Sequence, residues 1–230
     1  MTRNLAFISI HPDFIASYLS FGVMASAKRQ AIVNFHNISL RDYAIDRHGS
    51  IDAPPYGGGD GMVMRIEPLT QALAAVREQL NERALVVCPS PQGKLWNHQS
   101  ASQLAEDERD LIFICGRFAG IDQRFLDRSV DLEFSLGDFV ISGGELAALT
   151  MADSVLRLLP GALGHAQSGV NDSFAAGMKG RLEQPLYTKP PVFEGQEVPA
   201  VLLSGDHRAI EKWRQEMALE ATRKKRPDLL

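Results

Sequence analysis

The chain has 230 residues, 45% of them hydrophobic and 23% charged, which suits a soluble globular protein of one large domain, or of a domain with a small appendage. No run of about 18 apolar residues occurs, which argues against a membrane-spanning helix, and His11, Pro12 and Asp13 interrupt the N-terminal stretch too early for a signal peptide. The net charge of −4 is unevenly placed: residues 1–176 carry 14 basic against 20 acidic side chains, whereas residues 177–230 carry 10 against 8.

Residues 5–10 (LAFISI) read as a strand, followed by a helix over 13–30 and a second strand over 31–39. A glycine-rich loop, DAPPYGGGDGMVM, spans 52–64; three consecutive glycines are entropically costly to order, which points to a functional or conformationally special loop. Residues 68–80 form a helix, with Leu69, Leu73, Val76 and Leu80 at helical spacing and Pro68 in its first turn. A short buried strand over 84–88 runs into the turn SPQGK, then a short helix over 100–109 leads to a strand over 111–115. Residues 130–141 read as strand broken at Gly137, and 142–159 as a helix ended by Pro160 and Gly161. Periodicity then disappears over 161–177. It returns in a C-terminal helix with Asp206 as N-cap and Ile210, Trp213 and Met217 on one face. Alternating apolar strands and helices specify an α/β fold with a mainly parallel sheet, followed by a small, mainly helical domain.

Cys88 and Cys115 each end an apolar run, the usual place for a buried free thiol, and suggest a reducing, cytoplasmic compartment. No CxxC or HxxxH occurs, so no metal ligands are assigned. Three loops follow three apolar strands: SPQGK at 90–94, GRFAGID at 116–122 and LGDFVISGGE at 136–145. Ligands of open α/β sheets bind beyond the carboxyl ends of the strands, so these loops can form one pocket or be three ordinary turns. None matches a dinucleotide fingerprint or a phosphate loop. Asp172 before Ser173 can start a turn, and Arg157 among leucines can snorkel or await an anion. The basic run Arg223, Lys224, Lys225, Arg226 is either a phosphate-contacting surface or a solvated helix end.

Taken together, YGGG-GMVM (56–64), SPQG (90–93), CGRF-GID-R (115–124), SLGDFVISGGEL (135–146), DSF (172–174), PAVLLSGDH (199–207), Trp213 and the closing KKRPDLL resemble the bacterial tRNA (guanine-N1)-methyltransferase family over essentially the whole chain. The resemblance implies a SPOUT-type fold with a deep trefoil knot, S-adenosylmethionine as methyl donor, and a homodimer with active sites shared between subunits. It implies methylation of guanine N1 at position 37 of tRNA, 3′ of the anticodon. Residues 1–160 would be the knotted donor-binding catalytic domain, 161–177 a flexible linker, and 178–230 the helical tRNA-binding domain. Ser90 and Pro91 would border the adenosine, and Gly116 would approach the donor through its backbone. Leu136, Gly137, Asp138, Phe139, Val140 and Ile141 would wrap the adenine, with Gly143 and Gly144 opening the helix beneath it. Asp172 matches the family's general base and Arg157 the arginine acting with it.

The chain departs from the family at Ala119, where a Glu linked to a divalent metal is usual, which leaves magnesium an open question. Asp60 stands where Pro or Ala is common, and Phe118 and Phe139 replace tyrosines. Two other readings stay open: a tRNA-binding SPOUT protein with weak or no catalysis, and a SPOUT methyltransferase for another RNA.

Overall fold

The computed structural model describes residues 2–80, 83–164 and 168–230; residues 165–167 of the expected linker lie outside them. Backbone contacts divide the chain into two units, Met1–Gly164 and His165–Leu230.

In the first unit β1 (Arg3–Ser9) leads to α1 (Pro12–Leu19), α2 (Gly22–Arg29) and β2 (Val33–Ser39). Two short strands, β3 (Asp52–Ala53) and β4 (Val63–Met64), bracket the glycine-rich loop. Then come α3 (Ile66–Gln79), β5 (Leu85–Leu95), α4 (His98–Glu106), β6 (Leu111–Ile114), β7 (Gly120–Ile121), α5 (Gln123–Ser129), β8 (Leu132–Ser135) and α6 (Glu145–Leu156). The main sheet has the order β2-β1-β6-β5-β8 and every neighbouring pair is parallel. A parallel sheet covered on both faces needs strands that are apolar throughout, and LIFI in β6 is buried at every position.

The strand alternation sorts the core into two layers. Leu5, Phe7, Leu85, Val87, Leu111 and Phe113 face one side, where α6 supplies Ala148, Met151, Ala152 and Val155. Ala6, Ile8, Val86, Ile112 and Ile114 face the other, against Leu69, Ala72, Leu73 and Val76 of α3 and Phe125 of α5. Phe7 and Phe113 stack across adjacent strands with ring centroids 5.2 Å apart. Burying one such ring stabilises the fold by about 1.5–3 kcal/mol.

Three elements differ from the sequence expectation. The helix expected over 13–30 is two helices, because Gly22 at φ +57 turns the chain between them. The turn expected at SPQGK lies inside β5: Pro89 and Lys94 both pair with Phe134, so residues 90–93 are extruded as a bulge from a continuing strand. The strand expected to reach 141 ends at Ser135, whose hydroxyl donates to the Gly137 carbonyl at 3.0 Å and accepts from its N–H at 3.2 Å, bending the chain out of the sheet.

The second unit holds α7 (Ser168–Asn171), a hairpin of β9 (Val192–Phe193) and β10 (Gln196–Glu197), α8 (Ala200–Leu203) and the long α9 (His207–Lys225). Asp206 caps α9 as its sequence suggests, accepting from the N–H groups of Arg208 at 3.0 Å and Ala209 at 3.1 Å. Among the described residues no helix is long and apolar enough to cross a membrane.

Candidate functional site

The bulge of β5 and the segments that follow β6 and β8 wall a cleft of about 340 Å³. Hydrogen bonds fasten these segments to one another. The Gly144 N–H donates to the Gly116 carbonyl at 2.7 Å, and Arg117 forms an antiparallel bridge with Gly143. On the other side the Ala119 N–H donates to the Met62 carbonyl at 2.8 Å, and β4 pairs in parallel with β7. The cleft wall is thereby one backbone network rather than independent loops.

Glycine is demanded at two closely packed points of the wall. A Cβ on Gly144 would lie 2.8 Å from the Gly116 nitrogen and 3.1 Å from Cys115 Cα, and one on Gly143 would overlap the Arg117 guanidinium. Gly116 is different: a Cβ there would meet only the Ile121 side chain at 3.4 Å, so the protein itself has room for it. In the glycine-rich loop, Gly57, Gly58, Gly59 and Gly61 all have positive φ, which accounts for the glycine run at 57–59.

The electrostatic anchor of the wall is Glu145, the first residue of α6 and only 1% exposed. One carboxylate oxygen accepts from the Ser9 hydroxyl at 2.8 Å and the other from Arg117 Nε at 2.9 Å. Ser9 Oγ in turn accepts from the His11 N–H at 2.9 Å. The helix N-terminus adds positive potential, so the buried charge is met on several sides. The Arg117 guanidinium therefore sits fixed at the cleft. No sequence motif announced the role of Glu145 or Ser9; the one available signal was a Glu opening an apolar helix directly after two glycines.

Of the residues singled out from sequence, Ser90, Pro91 and Gly116 line the cleft, as do Leu136, Gly137, Phe139, Val140, Ile141, Gly143 and Gly144. Asp138 is exposed and does not line it. Asp172 is half-buried in the second unit; Arg157 is half-buried at the C-cap of α6 and does not line the cleft. Ala119 does line it, beside Arg117 and Phe118. Gln92 of the 90–94 loop borders it too, as does Cys88, which its place at the end of an apolar run does not announce. Cys88 and Cys115 are buried free thiols, and desolvation pushes the Cys88 thiol up to about 12 and Cys115 well above its ordinary value. Burial likewise raises the Asp153 carboxyl on α6, partly opposed by the charge of Arg157. Among the described residues no group of three or more His, Cys, Asp or Glu is placed to hold a metal ion.

A parallel sheet with a main-chain-walled cleft beside the bulge of β5 and the ends of β6 and β8 defines an α/β protein with a candidate ligand site there. A family model described as tRNA (Guanine-1)-methyltransferase TrmD matches residues 3–230, and the chain belongs to this family, whose α/β fold is of the SPOUT class. Among curated relatives, a tRNA (guanine-N(1)-)-methyltransferase of Pseudoalteromonas translucida (strain TAC 125) is 46% identical over 97% of this chain and 86% of the relative. Those of Enterobacter sp. (strain 638) and Salmonella newport (strain SL254) are 44% and 43% identical, each over 98% of this chain and 87% of the relative.

Proposed function

We propose that this protein transfers a methyl group from S-adenosylmethionine to N1 of guanosine 37 in tRNA, in the cytoplasm. The observation that carries the reading is the cleft between the β5 bulge and the segments after β6 and β8, with its main-chain wall, in a chain of this family. The residues present suit the donor. Leu136, Val140 and Ile141 offer apolar surface to an adenine face, the open Gly116 backbone lets a ligand approach closely, and Ser90 adds a hydroxyl. When bound, the donor supplies an electrophilic sulfonium methyl.

Guanine N1 carries a proton and is a poor nucleophile until it is removed. Asp172 takes that proton, and a carboxylate placed beside N1 gains strength as a base when water is excluded from it. Arg157 stabilises the negative charge that develops on guanine O6. Residues 1–160 bind the donor within the trefoil knot, residues 161–177 link the two domains, and residues 178–230 grip the tRNA. Two copies of the chain associate with shared active sites. The exposed Phe139, Val140 and Leu146, consecutive with the cleft wall, give such a dimer an apolar surface to cover. Ala119 brings no carboxylate to the cleft, so the reaction runs without a metal ligand at that position.

The test is radiolabelled methyl transfer to tRNA transcripts carrying guanosine or adenosine at position 37, with and without magnesium chelation. Incorporation confined to the guanosine transcript is expected; equal incorporation into both, or binding without incorporation, overturns the reading. Asp172→Asn should keep donor binding and lose most single-turnover methylation, whereas Arg157→Ala should slow the chemical step more than it weakens donor affinity.

A further inference from the structure

In the second unit, the segment that begins at Asp172 closes into a loop. The Ala175 N–H donates to the Asp172 carbonyl at 3.1 Å, and the Phe174 N–H to the Arg181 carbonyl at 2.8 Å. Ser173 Oγ, next to Asp172, accepts from the Glu183 N–H at 3.1 Å. Phe174 holds φ at +72, a left-handed conformation that a ring-bearing side chain adopts only when its surroundings dictate it.

Two tethers tie this loop to the last turns of α9. Thr222 is fully buried; its hydroxyl donates to the Ala218 carbonyl at 2.7 Å and accepts from the Leu182 N–H at 3.1 Å. Arg226, just beyond the helix, places its guanidinium 5.9 Å from the centre of the Phe174 ring, a cation–π contact. Arg226 is itself steadied by Asp228, with contacts of 2.9 and 2.7 Å. Both tethers thus act on the loop that starts at Asp172, and one of them grips the residue two positions after it. Part of the basic C-terminal run therefore has an internal role: Arg226 faces the loop.

We infer that Thr222, Arg226 and Phe174 are positioning residues for Asp172, so that the C-terminal turns of α9 set where the carboxylate stands when it takes the guanine proton. The inference rests on Asp172 acting as the general base. Proton removal in the transition state requires the base within hydrogen-bond reach, and a loop released from its anchor spends less time there. A buried hydroxyl that satisfies a loop N–H is a sufficient anchor, because the alternative is an unmet donor.

The experiment measures single-turnover methylation of tRNA by the full-length protein, with tRNA and donor affinities measured separately. Thr222→Val should lower the single-turnover rate by about ten-fold or more while leaving both affinities within about two-fold, since a fully buried side chain touches neither ligand. Thr222→Ser, which keeps the hydroxyl, should restore the rate. Phe174→Leu, read the same way, carries the test if Thr222→Val does not fold. A Thr222→Val rate equal to wild type while Asp172→Asn is inactive overturns the inference and leaves the base assignment standing. Full activity of Asp172→Asn overturns the base assignment itself. A loss confined to tRNA affinity, with the saturated rate unchanged, shows that the tethers serve binding and also overturns it.

Discussion

The carboxylate of Glu145 and the guanidinium of Arg117 meet at 2.9 Å, joining the first turn of α6 to the segment that follows β6. Ser9 at the end of β1 completes the contact, so a single buried carboxylate links three carboxyl-edge elements of the sheet. Glu145→Gln removes the charge and leaves Arg117 uncompensated. Because Arg117 remains partly solvated, the expected loss is at the lower end for broken buried pairs, about 3 kcal/mol in chemical denaturation. Unchanged stability would show that the pair does not anchor the wall.

Gly116 and Gly144 should respond differently to the same substitution. Gly144→Ala forces a Cβ against the backbone of Cys115 and Gly116, so it should both destabilise the fold and abolish S-adenosylmethionine binding. Gly116→Ala fits the protein and should leave thermal unfolding nearly unchanged while weakening donor binding, measured by calorimetry. Normal donor affinity in Gly116→Ala would remove the close approach assigned to that backbone.

The Asp153 carboxyl is raised by burial, which fixes the sign of its effect on stability. A carboxyl with a raised folded-state value stabilises the fold fully below its unfolded value, near about 4, and that contribution is lost as pH rises through the folded value. Asp153→Asn should therefore unfold at a higher temperature than wild type at pH 7, and the gap should close as pH falls below about 4. A gap of constant size across that range would contradict the burial effect.

Cys88 borders the cleft yet should not react. With its thiol pushed up to about 12, and Cys115 fully buried beneath it, almost no thiolate exists at neutral pH. Iodoacetamide at pH 8 should label neither cysteine in the native protein and both in denaturant, read by intact mass. Rapid native labelling of Cys88 would place that thiol in a more open setting.

Much of the layout was legible in the residues alone. The apolar runs at 5–10, 84–88 and 111–115 read as strands, and each is one, buried continuously because a parallel sheet is covered on both faces. The Asp206 cap followed from one side chain and its own backbone, a local interaction that sequence specifies. What the sequence left undecided was every feature set by distant partners. That SPQG is a bulge rather than a turn depends on β8 pairing on both sides of it. The need for Gly143 and Gly144 becomes visible only once Arg117, Cys115 and Gly116 are packed against them. Glu145 and Ser9 are 136 positions apart, and Thr222 lies 40 positions from Leu182. Periodicity and capping report on neighbours within a few residues, whereas a buried charge or hydroxyl is satisfied by whatever the fold brings to it, so those pairings were decided by the tertiary structure alone.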